Sequence, residues 1–261
     1  MGAAPGCAVR VGWVSHQWPE ADDTPARPGL LPGRYAGGAE FLQEMMRTQA
    51  REGVEVVRFD AGKPLTGVDE CDRVVVAATE MLAGLELSFL GKLSPVVWLM
   101  SPQRPEVVPL LQGADRVVWA SELMRSTFGK RGDEVCPGWW DTSVVPRDVP
   151  KEDFVLWAGR DIWHKGEAQA REWADARGLP FLGLKNRPRA EVLETMGRAR
   201  WFVHLSQGVI DPCPTTVIEA EIAGCEVVTN SLVGRTPVSG AQENVDYIES
   251  CGDMFWGWVC G

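Results

Sequence analysis

The chain has 261 residues, 45% hydrophobic and 24% charged, enough for one large or two ordinary globular domains and unlike a disordered or fibrous chain. Its net charge of −10 disfavours long-range attraction to nucleic acid or anionic membranes without forbidding a local basic cleft. Seven cysteines without a CxxC pair argue against a zinc site or disulfide framework and suit the cytoplasm; no apolar run approaches the ~20 residues that span a membrane, so no membrane insertion is expected.

In chain order, 9–15 reads as a buried strand. A long proline-rich loop follows from His16 to Ala36, then the pair Gly37-Gly38 and a helix over 40–51. Strand-like runs come at 54–59, 73–77, 95–101 and 116–120, with a helix at 122–130. The pattern breaks at 146–153, a charged stretch bearing Pro146 and Pro150. It restarts with strands at 154–158, 180–184, 201–205 and 226–229, and helices at 167–177, 189–199 and 215–223. A last helix is expected over 241–258. Continuous apolar strands alternating with amphipathic helices predict parallel sheets covered on both faces. The fold class is therefore α/β, as two Rossmann-like domains (1–148 and 149–240) and a terminal helix (241–261).

Chemistry concentrates in Asp211-Pro-Cys-Pro-Thr-Thr-Val-Ile-Glu219, where a loop opens into a helix at Pro214. A helix start aims unpaired N–H groups and the positive end of its dipole outward, which suits a diphosphate. Thr215 and Thr216 occupy that first turn. A carboxylate one or two turns further in can accept hydrogen bonds from sugar hydroxyls. Ligands of open α/β sheets bind beyond the carboxyl ends of the strands, and Gly37-Gly38, Gly159-Arg160 with Lys165-Gly166, and Asp211 all fall at such ends. The basic run of Lys185, Arg187, Arg189, Arg198 and Arg200 reads as a solvated helix face before it reads as a polyanion site. Trp139, Trp140 and Trp163 fall in loops near the domain junction, where an aromatic face can stack on a base or sugar.

The segment from Asp211 to Glu219 resembles the acidic-x7-Glu signature of retaining glycosyltransferases of the GT-B fold, in particular family 4. Three other landmarks occur in the family's order: Gly37-Gly38 opening a helix, the strand-plus-Ser-Glu element 117–122, and Gly159-Arg160 followed by Lys165-Gly166. The resemblance spans nearly the whole chain. It implies a GT-B enzyme that takes a nucleotide diphosphate-sugar as donor substrate and needs neither a cofactor nor a metal; Asp22-Asp23 does not form a DxD motif. It assigns Arg160 and Lys165 to the donor diphosphate, Asp211 to the transferred sugar and Glu219 to the donor ribose. Gly37 and Gly38 would let backbone approach the phosphates. Asp211 is one methylene shorter than the Glu commoner there.

Many relatives carry a His at the end of the strand 95–101, where this chain has Met100 and Ser101. His16, after the first strand, is the catalytic alternative. His164 is a phosphate contact, His204 a core residue and Glu221 a solvated one. By the same resemblance the terminal helix crosses back onto the first domain with 255–258; the alternative is a helix capping its own domain. The chain is short for this fold and resembles compact phage-encoded members. That makes a hydroxylated base in modified DNA the first acceptor, and a cell-envelope lipid or polysaccharide precursor the second. The rival from another class is a non-catalytic nucleotide-sugar binding module. The oligomeric state is left open.

Overall fold

The computed structural model describes residues 9–15, 38–61, 63–78, 95–100, 111 and 113–261. Six strands form the first sheet: β1 (Val9–Ser15), β2 (Val54–Asp60), β3 (Arg73–Ala78), β4 (Val96–Leu99), β5 (Arg116–Trp119) and β6 (Glu134–Val135). All pair in parallel, in the order β2-β1-β3-β4-β5-β6. The second sheet holds β7 (Glu152–Gly159), β8 (Phe181–Lys185), β9 (Ala199–His204) and β10 (Glu226–Thr229), also parallel, in the order β10-β9-β7-β8. Each sheet is thus wound alike: the second strand lies on one side of the first, and the third and fourth on the other. The point where the order reverses is where such sheets bind ligands. In the second sheet it lies between β7 and β9.

The inner strands β1, β3, β4 and β5 are valine-rich and largely buried because helices cover both faces, while the edge strands β2, β8 and β10 are only partly buried. All four residues of β4 are buried. The helices are α1 (Gly38–Thr48), α2 (Glu122–Phe128), α3 (Glu167–Asp175), α4 (Arg189–Arg198), α5 (Thr215–Ile222) and α6 (Ala241–Cys260). Helix α2 starts at Ser121, whose hydroxyl accepts from the Met124 N–H at 3.3 Å, a side-chain cap. It stops two residues short of the expected end. A Cβ at Gly129 would sit 2.5 Å from the Trp119 indole nitrogen, which donates to Asp133 at 2.8 Å. The sequence pattern missed β6, two residues long and held at its edge by the Arg116–Glu134 ion pair.

Helix α6 joins the two halves. Near its start, Asn244 donates to Glu221 of α5 at 2.8 Å. Further along, the Tyr247 hydroxyl donates to the Val135 carbonyl at 3.0 Å, and the Trp256 indole donates to the Met46 carbonyl at 2.9 Å. Phe255 lies 5.1 Å from Trp98 and 6.0 Å from Trp13, ring centre to ring centre. Offset and tilted aromatic contacts of this kind add about 0.5–1.5 kcal/mol each beyond area burial. Glu221 is therefore not a solvated residue: besides Asn244 it pairs with Arg235. Trp140 is fully buried and offers no face to a ligand, and Trp139 is partly buried against the same core. No helix among the described residues is long and apolar enough to cross a membrane.

Candidate functional site

The site is built on the chain that leaves β7. Gly159 ends the strand, and its carbonyl accepts from Asn186 N–H at 3.0 Å. The Asn186 side chain in turn accepts from the Asp161 N–H. A single 3-10 turn, Trp163–Lys165, then delivers the chain to α3. The Trp157 indole, buried in β7, donates to the Lys165 carbonyl at 2.9 Å and fixes the turn from below. Gly166 follows with φ +75°, and a Cβ there would stand 1.9 Å from the Leu205 carbonyl oxygen. Only glycine permits both that backbone and that approach. This is the physical reason for the Lys165-Gly166 pair.

The turn brings Lys165 to Asp211. The ammonium lies 2.6 Å from Asp211 Oδ2, with the lysine side chain 17% exposed and the carboxylate 3%. His204, the last residue of β9, reaches the same oxygen through Nε2 at 2.7 Å. Asp211 is held by its backbone too: its N–H donates to Leu232 and its carbonyl accepts from Gly234. Burial opposes the charge on Asp211. The His204 hydrogen bond and the Lys165 ammonium outweigh it and hold the carboxyl well below the usual carboxylate range. An ionised carboxylate only accepts, so Nε2 of His204 carries the hydrogen. Its Nδ1 is buried without a hydrogen-bond partner.

His204 was expected in the core. It is buried, but as part of this cluster. The signal that could have found it is its place at a strand end, seven residues before Asp211. Arg160 is exposed at the end of β7 and makes no ion pair among the described residues. His164 is half-buried against Trp163, with ring centres 5.7 Å apart; burial and the neighbouring Lys165 push its pKa down. Trp163 is 74% exposed.

Glu219 lies one turn into α5, 1% exposed, and pairs with Arg189. Thr215 and Thr216 are half-buried at the start of α5, where Pro214 supplies no side-chain cap. The basic run does not form one patch, because each member has its own acid. Lys185 meets Asp161 and Glu167, Arg187 meets Glu191, Arg198 meets Glu152, and Arg200 meets Asp153. Gly38 starts α1. His16, Gly37 and Ser101 lie outside the described residues, and Met100 is buried. A concavity of about 630 Å³ lined by Val145, Arg147, Gln242 and Glu249 lies against α6 and carries none of the expected site residues.

No protein-family model and no curated protein matches the sequence. Solved structures do. AviGT4, a glycosyltransferase involved in avilamycin A biosynthesis, superposes with a TM-score of 0.58 at 17% identity, over 97% of this chain and 94% of that one. Anabaena HepE in complex with UDP and glucose gives 0.54 at 13% identity, over 96% and 92%. The fold is GT-B. Sucrose-phosphate synthase from Thermosynechococcus elongatus aligns over 96% of this chain and 92% of its own, with a TM-score of 0.53 at 12% identity. At such identities the likeness is one of fold, and the residues at the β7–β9 reversal carry the functional argument.

Proposed function

We propose that this chain is a retaining glycosyltransferase that moves a sugar from a nucleoside diphosphate donor to an acceptor hydroxyl, without a metal. The observation that carries the reading is Lys165, pinned on the buried Asp211–His204 pair at the β7–β9 reversal, with Arg160, which makes no ion pair among the described residues, five residues before it. When the glycosidic bond breaks, negative charge grows on the departing diphosphate. A cation already fixed in place, as Lys165 is, stabilises that charge without having to reorganise, and Arg160 adds a second positive charge beside it. The uncapped start of α5 faces the same strand ends and adds N–H donors.

Asp211 cannot take a proton near neutral pH, because its partners stabilise the ionised form. In the proposed reaction the departing phosphate oxygen takes the acceptor's proton, on the face where the donor sugar was attached. The configuration at the anomeric carbon is then retained. The two cations do the work a divalent metal does elsewhere, so EDTA leaves turnover intact on this reading; complete loss would assign the charge to a metal.

UDP and UDP-glucose are the first donors to assay, since the HepE structure holds UDP and glucose. A ligand bound only by the folded chain raises its melting temperature by mass action. A rise with UDP that Arg160→Ala and Lys165→Ala both diminish, together with UDP release from UDP-glucose, supports the reading. No rise with any nucleoside diphosphate rejects it. A hydroxylated DNA base is the first acceptor we propose. Its binding would weaken steeply with salt as phosphate contacts release counterions, whereas a lipid or polysaccharide precursor would not show that slope.

A further inference from the structure

Lys165 is not the only cation that a buried carboxylate holds at these strand ends. The Oε1 of Glu219 accepts from both Nε, at 2.9 Å, and Nη2 of Arg189. Arg189 is the first residue of α4, just beyond the end of β8, and its side chain stays 24% exposed against 1% for the carboxylate. Its guanidinium carbon lies 5.2 Å from the centre of the Phe41 ring, in the first turn of α1. The guanidinium therefore stands where the second sheet's ligand end meets the opening of the first domain's helix. A ligand entering there reaches the guanidinium before it reaches the carboxylate.

Resting on the donor reading above, we infer that Arg189 is a donor-binding residue for the nucleoside diphosphate and that Glu219 is the residue that positions it. Guanidinium is charged at every working pH and has five N–H donors in a fixed plane. Glu219 uses two, Nε–H and one on Nη2, and among the described residues the other three have no hydrogen-bond partner and stay open to a ligand. A planar cation with free donors matches phosphate oxygens, singly or as a fork. Glu219 on one side and the Phe41 face on the other hold the plane still, so little side-chain freedom is lost when the donor binds. The two acids of the Asp211–Glu219 pair then share one design: each is buried, and each sets a cation at the mouth. On this inference Glu219 acts through Arg189, and the ribose contact expected from the sequence is not its role.

The two roles predict opposite outcomes, read by titration calorimetry with UDP, 2′-deoxy-UDP and uridine. Arg189→Lys keeps a positive charge on Glu219 and so protects the fold, while removing the planar donors; Arg189→Met removes the charge as well. Both are expected to weaken UDP at least about tenfold and uridine less than about threefold, with Arg189→Met the weaker of the two. Wild type is expected to bind 2′-deoxy-UDP as it binds UDP. Unchanged or tighter UDP binding in both variants overturns the inference, because freeing Glu219 would then have helped the donor. An equal fall for uridine and UDP overturns it too, since the pair would only be supporting the cleft. A wild-type preference for UDP over 2′-deoxy-UDP that Glu219→Gln abolishes returns Glu219 to the ribose. Failure of the donor reading looks different: wild type itself binds no UDP.

Discussion

Two buried regions of this molecule are made of opposite materials. Where α6 crosses the first sheet, Trp13, Trp98, Phe255 and Trp256 pack together, and the indoles of Trp98 and Trp256 each donate to a backbone carbonyl. At the β7–β9 reversal the buried groups are carboxylates and a histidine, and Lys165 and Arg189 cover them. The aromatic region gains stability from every contact. The charged region loses hydration on each ion and recovers it only through well-placed partners, so it is weak ground for stability. What it supplies instead is fixed charge at the strand ends, which on the proposed function is what a departing diphosphate needs.

That contrast can be broken by mutation. Trp256→Ala should have the largest effect on stability, about 3–5 kcal/mol, because it empties a fully buried site. UDP affinity of the protein that stays folded should not change, as urea unfolding and calorimetry would show. A large loss of affinity would mean that the α6 contact sets the cleft geometry. Asp211→Ala should cost roughly 3 kcal/mol, since it strands Lys165 without its partner. Here turnover of UDP-glucose should collapse even at temperatures where the fold survives. Gly166→Ala should cost about 1–3 kcal/mol from its left-handed backbone alone. The overlap with Leu205 should also shift Lys165 and raise the donor KM. Ser121→Ala, which removes one helix cap, should cost only ~1 kcal/mol and leave donor binding untouched.

Acid sharpens the comparison further. The Asp211 carboxyl titrates lower in the folded chain than in the unfolded one, where a value near ~3.9 applies. Its contribution is therefore complete above that unfolded value and is lost as pH falls below it. The stability gap between wild type and Asp211→Asn, measured by urea unfolding, should be widest at pH 7 and narrower at pH 3. A gap that does not change with pH would mean that Asp211 is not ionised in the native protein. Trp256→Ala should show no such narrowing.

Much of this architecture is local and was legible in the chain. The strand at 226–229 and the starts of α2 to α6 fall where apolar runs, prolines, Ser121 and the glycines place them, because the period of burial and the capping groups act over a few residues. The positions of Arg160 and Lys165 just beyond the end of one strand, and of Asp211 and Glu219 in the loop and helix that follow another, come from the same pattern. Who pairs with whom does not. Gly166 is an ordinary loop glycine until the approach of Leu205, 39 positions later, shows why no Cβ fits. His204 reads as one more strand residue until Asp211 folds back under it. Arg189 reads as part of a solvated basic run until α4 and α5 are set side by side. The sequence by itself determined the elements, their alternation and the acidic pair, all of them short-range properties. Only the tertiary structure decided that each acid is buried beneath a cation, because burial and ion pairing join residues 30 and 46 positions apart that no local pattern relates.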